Sequence, residues 1–293
     1  MAHNKVLIVD DQEDVRRFLV RYLHKKGFEP IEASSGEEAL ELFKAIQPAS
    51  VVSDIMMPEM DGIELLESIK AIDPSVVVIL ITGYGSEDVV LKALRKGANN
   101  FFKKPFQFRD IEECIKNALK YREEDTAKAM HTSALAYEKK NFIVKTKEAN
   151  VMPIIRQITF NLNNFLASDE HINIKIGIEE IMTNAIEHGN LGITSKEKED
   201  TLANATWGKL VNERMESEGG EKLIMVSSEL YRDRFTVDIE DEGEGFNWKA
   251  LESVDPVTLM DMKGRGVFLV KVFFDEVNFN ENGNKVTLVK YLQ

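Results

Sequence analysis

The chain has 293 residues, 43% of them hydrophobic, which suits two packed cores better than one. Its formal net charge of −13 argues against a nucleic-acid partner, because phosphate binding needs a basic face. Its single cysteine, Cys114, rules out an intrachain disulfide, and no apolar run approaches the ~18 residues of a membrane span. The opening Met1-Ala2-His3-Asn4-Lys5 runs straight into a strand and does not read as a signal peptide, so a soluble, cytoplasmic protein with no membrane partner is expected.

Residues 1–122 alternate strand and helix. Val6–Val9, Val51–Ser53, Val76–Ile81 and Asn100–Phe102 read as buried strands, and Phe28–Ala33 as a weaker one. Helical patterns such as Val15, Phe18, Leu19, Tyr22 and Leu23 lie between them. Apolar strands alternating with helices predict a doubly wound, five-stranded parallel α/β sheet covered on both faces. Its site is expected at the carboxyl ends of the strands. Asp10 and Asp11 end the first strand, Asp54 the third, Thr82 the fourth and Lys104 the fifth. Three converging carboxylates repel unless a cation sits among them, and oxygen ligands suit Mg²⁺. A carboxylate there can accept a phosphoryl group, with Lys104 and the Thr82 hydroxyl holding its oxygens.

The segment Asp54-Ile55-Met56-Met57-Pro58-Glu59-Met60-Asp61-Gly62 resembles the phosphoacceptor segment of bacterial response regulator receiver domains, which have a flavodoxin-like fold. The resemblance spans residues 4 to about 120. It implies that Asp54 is the phosphoacceptor and that Asp10, Asp11, Asp54 and the Met56 carbonyl hold Mg²⁺. It implies an upstream histidine kinase as partner. Thr82 and Phe101 match the positions that rearrange on phosphorylation. Phe101 lacks the hydroxyl of the commoner tyrosine, so a switch here works through packing.

Residues 107 to about 138 read as one long helix, and residues 123–139 form a helical connector between the domains. Ala127, Met130, Ala134 and Tyr137 fall at 3-4-3 spacing, a narrow seam suited to a homodimer. His131 lies in this stretch, but Thr132-Ser133-Ala134 lacks the acidic residue and downstream proline of a histidine kinase phosphoacceptor box.

Residues 140–293 form the second domain, opening with a strand at Asn141–Lys145. A helix carries Ile154, Ile155, Ile158, Leu162 and Phe165, and another runs from about Asn173 to His188. Leu223–Leu230, Arg234–Glu240 and Lys285–Tyr291 alternate with period two, as half-buried antiparallel strands do. Helices on one face of such a sheet make an α+β sandwich. Glu180 and Asn184, four apart, share one helix face. Asn184 offers an amide oxygen to Mg²⁺, and Glu180 can take a proton from an attacking hydroxyl or water. Asp241 can accept a hydrogen bond from an exocyclic amine such as that of adenine, with Gly243 and Gly245 letting the backbone approach the base. Gly264, Arg265 and Gly266 open an apolar helix whose first amides can bind phosphate.

Taken with His188-Gly189, this ordered set resembles the Bergerat-fold (GHKL) ATP-binding domain, and most of all the anti-sigma-factor serine kinases of bacterial partner switching. That resemblance implies a nucleotide site of Asn184, His188, Asp241, Gly243, Gly245, Gly264, Arg265 and Gly266 that takes Mg-ATP, under a short lid at residues 246–263. It makes Glu180 the catalytic base toward a serine on a small anti-sigma antagonist protein, and it implies a sigma factor as a further partner. One departure is a polar insertion at residues 191–221, with a helix start near Thr194 and a partial apolar face of Leu202, Leu210, Val211 and Met215. The expected function is a response regulator whose output is a serine kinase and anti-sigma factor. The alternatives are a nucleotide-binding sequestering module without kinase activity and a histidine kinase with an N-terminal receiver. No helix-turn-helix or basic cluster supports a DNA-binding output.

Overall fold

The computed structural model describes residues 4–83, 87–125, 135–251 and 265–292. The chain divides into two compact units, Met1–Lys128 with Ala167–Asn173, and Ala129–Leu166 with Ile174–Gln293.

The first unit follows the expected alternation: β1 (Lys5–Val9), α1 (Glu13–Lys25), β2 (Glu29–Ala33), α2 (Gly36–Ile46), β3 (Ser50–Asp54), α3 (Gly62–Ile72), β4 (Val77–Thr82), α4 (Glu87–Arg95), β5 (Asn100–Lys103) and α5 (Phe108–Asp125). The strands form a parallel sheet in the order β2-β1-β3-β4-β5. β3 and β4 are buried along their whole length; β4 is accordingly almost continuously apolar, whereas β3 keeps Val51 and Val52 between Ser50, Ser53 and Asp54. β2 is an edge strand, so it tolerates Glu29, Pro30 and Glu32, and its sequence signal is correspondingly weak. The order puts β1, β3, β4 and β5 side by side and gathers their carboxyl ends at one sheet edge. Asp61 and Glu64 form a capping box that starts α3 directly after the Asp54 segment.

The second unit holds β6 (Tyr137–Lys145), α6 (Val151–Thr159) and, from Ile174 on, α7 (Ser168–Asn184), which continues into a π-helical turn at Ala185–Asn190. Then come α8 (Ser195–Ala203), α9 (Trp207–Met215), α10 (Glu218–Glu221), β7 (Leu223–Tyr231), β8 (Arg234–Asp241), α11 (Arg265–Phe273), β9 (Glu276–Phe279) and β10 (Lys285–Tyr291). The sheet is antiparallel in the order β6-β7-β8-β10-β9. Ile224, Val226, Leu230, Phe235, Val237, Ile239, Val286 and Leu288 line its buried face. α7 and α11 pack at Gly177, where a Cβ would stand 3.0 Å from the Phe274 ring and 3.6 Å from Val270. Gly266 meets Glu180 further along the same two helices. Rising numbers on α7 therefore meet falling numbers on α11, and the pair runs antiparallel.

Three sequence expectations need correction or completion. The helix expected through residue 138 is described only to Asp125; Tyr137 and Glu138 belong to β6. Tyr137 pairs with Tyr231 across the ladder, ring centroids 4.8 Å apart, so it cannot share a helical seam. The second sheet accordingly starts three residues before the expected boundary. Ala127, Met130, His131 and Ala134 lie outside the described residues. The 191–221 insertion is helical, with α8 opened by a capping box of Thr194 and Glu197 and its expected apolar residues only half-buried. Strand β9 was not legible beforehand. Among the described residues no helix is long and apolar enough to cross a membrane.

Candidate functional site

In the first unit, one carboxylate oxygen from each of Asp10, Asp11 and Asp54 lies within 4.8 Å of the other two. Asp10 and Asp54 are buried and Asp11 is exposed. The Lys104 ammonium donates to Asp10 Oδ2 at 2.9 Å and stands 3.2 Å from Asp54 Oδ1, an ion pair whose geometry falls short of a hydrogen bond. Burial pushes the Asp54 carboxyl up to about 6; Lys104 opposes this, while the charges of Asp10 and Asp11 add to it. Thr82 Oγ1 is also buried without a hydrogen-bond partner. An Asp54 oxygen met only by the Lys104 ion pair and an unpartnered Thr82 hydroxyl, beside three carboxylates, fit an added Mg²⁺ and phosphoryl group, because every available donor is a hard oxygen. Gly62 packs so closely on the Asp54 carbonyl that no side chain fits there. The Met56 side chain is exposed, and Phe101 lies buried in β5.

In the second unit, Glu180 and Asn184 lie on α7 as expected. Gly266 sits in the first turn of α11 and faces the Glu180 carboxylate: a Cβ there would lie 2.6 Å from Glu180 Oε2. Asp241 ends β8 with its carboxyl mostly buried. Burial pushes that carboxyl up to about 6, while the Gly243 amide, donating to Oδ1 at 2.8 Å, pulls the other way. Gly189 lies against it; a Cβ at residue 189 would be 2.5 Å from Asp241 Cγ. Gly243 abuts the Gly189 carbonyl in turn. The His-Gly pair and the Asp-Glu-Gly turn, over fifty residues apart in sequence, thus close into one cluster. A buried acceptor with one oxygen engaged by Gly243 suits an amine-bearing base.

Some expected residues do other work. Gly245 has φ +76° and abuts the Asn282 carbonyl, so its freedom serves the turn between β9 and β10. His188 is exposed, and its Nδ1 lies 2.5 Å from the Ile193 carbonyl at the start of the insertion, leaving only Nε2 for a ligand. Gly264 and the Arg265 side chain lie outside the described residues, as do residues 252–263 of the expected lid. Sequence reasoning missed Asn190 and Asn284. Asn284 donates to the Asp241 carbonyl at 2.9 Å, and its own carbonyl accepts from the Asp241 amide at 3.0 Å. The one available signal was the position of Asn190 beside the His188-Gly189 pair.

These two sites define a receiver domain joined to an ATP-binding domain of the GHKL class. Residues 6–116 match the response regulator receiver domain family. Residues 144–290, half of the chain, match the histidine kinase-like ATPase domain family, and the chain belongs to it. Two curated relatives each cover about two-fifths of the chain. Sporulation initiation phosphotransferase F of Bacillus subtilis is 37% identical over 119 residues, 41% of this chain and 96% of that protein. The chemotaxis protein CheY of the same organism is 42% identical over 120 residues, 41% of this chain and 99% of that protein. A solved receiver domain protein from Clostridium thermocellum is 31% identical with a TM-score of 0.40, covering 41% of this chain and 96% of its own.

Proposed function

We propose that this chain is a two-component response regulator, phosphorylated on Asp54 by an upstream histidine kinase, that controls an ATP-dependent protein serine kinase and anti-sigma output in a partner-switching pathway. The observation that carries the output reading is Glu180, one helical turn before Asn184 and held against Gly266 in the first turn of α11. That arrangement sets a carboxylate beside helix amides suited to phosphate.

At the receiver, Asp10, Asp11 and the Met56 carbonyl would hold Mg²⁺ beside Asp54, with Lys104 and Thr82 receiving the phosphoryl oxygens. Repacking of Thr82 and Phe101 would carry the signal. In the output domain, Asp241 would accept the adenine amine and Asn184 would hold the second Mg²⁺ by its amide oxygen. Mg-ATP supplies the phosphoryl group and the neutralising charge. Glu180 takes the proton of the attacking serine hydroxyl; the serine oxygen bonds to the γ-phosphorus as the bond to the β–γ bridging oxygen breaks and ADP leaves. The serine belongs to a small antagonist protein, a sigma factor is the alternate partner, and the chain acts as a homodimer.

The test is calorimetric titration with Mg-ATP, using Asp241→Asn as the control, followed by transfer of labelled γ-phosphate to co-purified small proteins. Saturable binding lost in the control, with acid-stable phosphoserine that disappears in Glu180→Ala, is expected. Failure of the wild type to bind Mg-ATP would sink the proposal.

A further inference from the structure

We infer that Asn190 is a positioning residue for base selection: it fixes the Asp241-Glu242 turn so that the Asp241 carboxylate is presented to the base before any nucleotide arrives. This deepens the proposed nucleotide reading and rests on Asp241 being the acceptor for an exocyclic amine.

Asn190 is the last residue of the π-helical turn that follows Asn184, and it is 2% exposed. Its side-chain carbonyl accepts from the Glu242 amide at 2.8 Å. Its amide nitrogen donates to Thr146 Oγ1 at 2.8 Å and to the Leu223 carbonyl at 2.9 Å. Both donors and one acceptor are used, each on a different segment: the turn after β6, the start of β7 and the end of β8. The Glu242 carboxylate reinforces the same junction by accepting from the Leu223 amide at 2.7 Å. An asparagine is suited to this place because it supplies both donors and an acceptor without charge.

The consequence for the site is geometric. Asp241 immediately precedes the amide that Asn190 holds, and its carboxylate packs on Gly189, immediately before Asn190. Backbone and side chain of the proposed base-reading residue are therefore pinned from the same two-residue step of the π turn. That turn continues directly from Asn184. One short segment thus fixes the spacing between the proposed metal-holding asparagine and the proposed base-reading aspartate. Acceptor placement separates adenine, which offers an exocyclic amine, from guanine, which offers a carbonyl at the same position. An acceptor free to swing would discriminate poorly.

The experiment compares ATP and GTP dissociation constants, with Mg²⁺, for the full chain and three variants. Asn190→Ala removes the restraint on Glu242 and is expected to lower the preference for ATP over GTP by about tenfold. Asn190→Asp keeps an acceptor facing the Glu242 amide and is expected to retain the preference despite lower stability. Thr146→Val removes one donor contact without touching Glu242, so it is expected to lower stability and leave the preference unchanged. Hydrogen exchange of the Glu242 amide in the wild type needs no variant, and protection before nucleotide is added is expected. An unchanged preference in Asn190→Ala, an equal loss in Thr146→Val, or free exchange at Glu242 would each overturn the inference. Absence of nucleotide binding in the wild type would instead overturn the proposed function beneath it.

Discussion

Glu180 and Gly266 face each other across two antiparallel helices with no room for a methyl group between them. The atom in the way of a Gly266 side chain is the tip of the Glu180 side chain, which can rotate aside. Gly266→Ala is therefore expected to fold normally, with unfolding free energy within about 0.5 kcal/mol of wild type, because alanine also favours the helix. Under the proposed kinase function the displaced carboxylate no longer meets the serine hydroxyl, and phosphotransfer is expected to fall about a hundredfold. ATP affinity should fall far less. Parallel kinase assays and calorimetry decide the point, and a variant with the wild-type transfer rate would remove Glu180 from the base role.

With Asp241 as the proposed acceptor for the base, nucleotide binding is expected to have a lower pH limit. Burial holds its carboxyl near 6, above the ordinary 3.8. Only the ionised form is a pure acceptor for an amine, so affinity for ATP should be flat above about pH 7. It should weaken by about tenfold for each pH unit below 6. The stability effect has the opposite sense. A raised native value means the native state binds the proton more tightly, so this carboxyl stabilises the fold fully below 3.8 and loses that contribution as pH rises through 6. Calorimetry from pH 5 to 8 tests both statements. The same slope in Asp241→Asn would assign the titration to another group.

The receiver carries a comparable cost. Asp54 is buried among Asp10 and Asp11, with Lys104 as the nearby cation and Asp54 Oδ1 left without a hydrogen bond. Asp54→Asn removes one of three mutually repelling carboxylates. In Mg²⁺-free buffer at pH 7.5 it is expected to stabilise the receiver by about 1–3 kcal/mol. Added Mg²⁺ should stabilise the wild type and have little effect on the variant. Thermal unfolding with and without Mg²⁺ measures this, and a variant less stable than wild type without the ion would mean the cluster is already balanced by its hydrogen bonds.

The parts of these sites that were legible in the sequence are those set by local pattern. The apolar run of β4 and the Val51-Val52 pair of β3 announce buried parallel strands, and Asp54, Thr82 and Lys104 fall at strand ends where they must converge. Glu180 and Asn184 are four apart on a helix, so their shared face follows from helical geometry alone. What escaped depends on distant segments meeting. Nothing near Asn190 signals that its partners are Thr146, Leu223 and Glu242. The π turn escaped because its residues continue the same helical pattern. β9 is four residues long with none buried, too short for a period to register. The 3-4-3 spacing of Tyr137 with Ala127, Met130 and Ala134 imitates a helical seam, whereas the residue opens the period-two run of β6.

Gly189 offers the sharpest test of the cluster. A Cβ at this position would stand 2.5 Å from both Cγ and Oδ1 of Asp241, a short buried side chain already held by the Gly243 amide. Unlike Glu180, it has little room to yield. Gly189→Ala is expected to cost about 1–3 kcal/mol of stability, as overpacking does, and to weaken ATP binding at least as much as Asp241→Asn. If the clash with the carboxylate is the cause, removing that carboxylate must relieve it. In an Asp241→Ala background the stability cost of Gly189→Ala should shrink by more than half, giving a coupling of at least about 0.5–1.5 kcal/mol between the two positions. Denaturant unfolding of the two single variants and the double variant closes the cycle. Additive costs would mean that residue 189 meets its limit elsewhere, at the Gly243 backbone, and that the contact with Asp241 does not decide the geometry of the site.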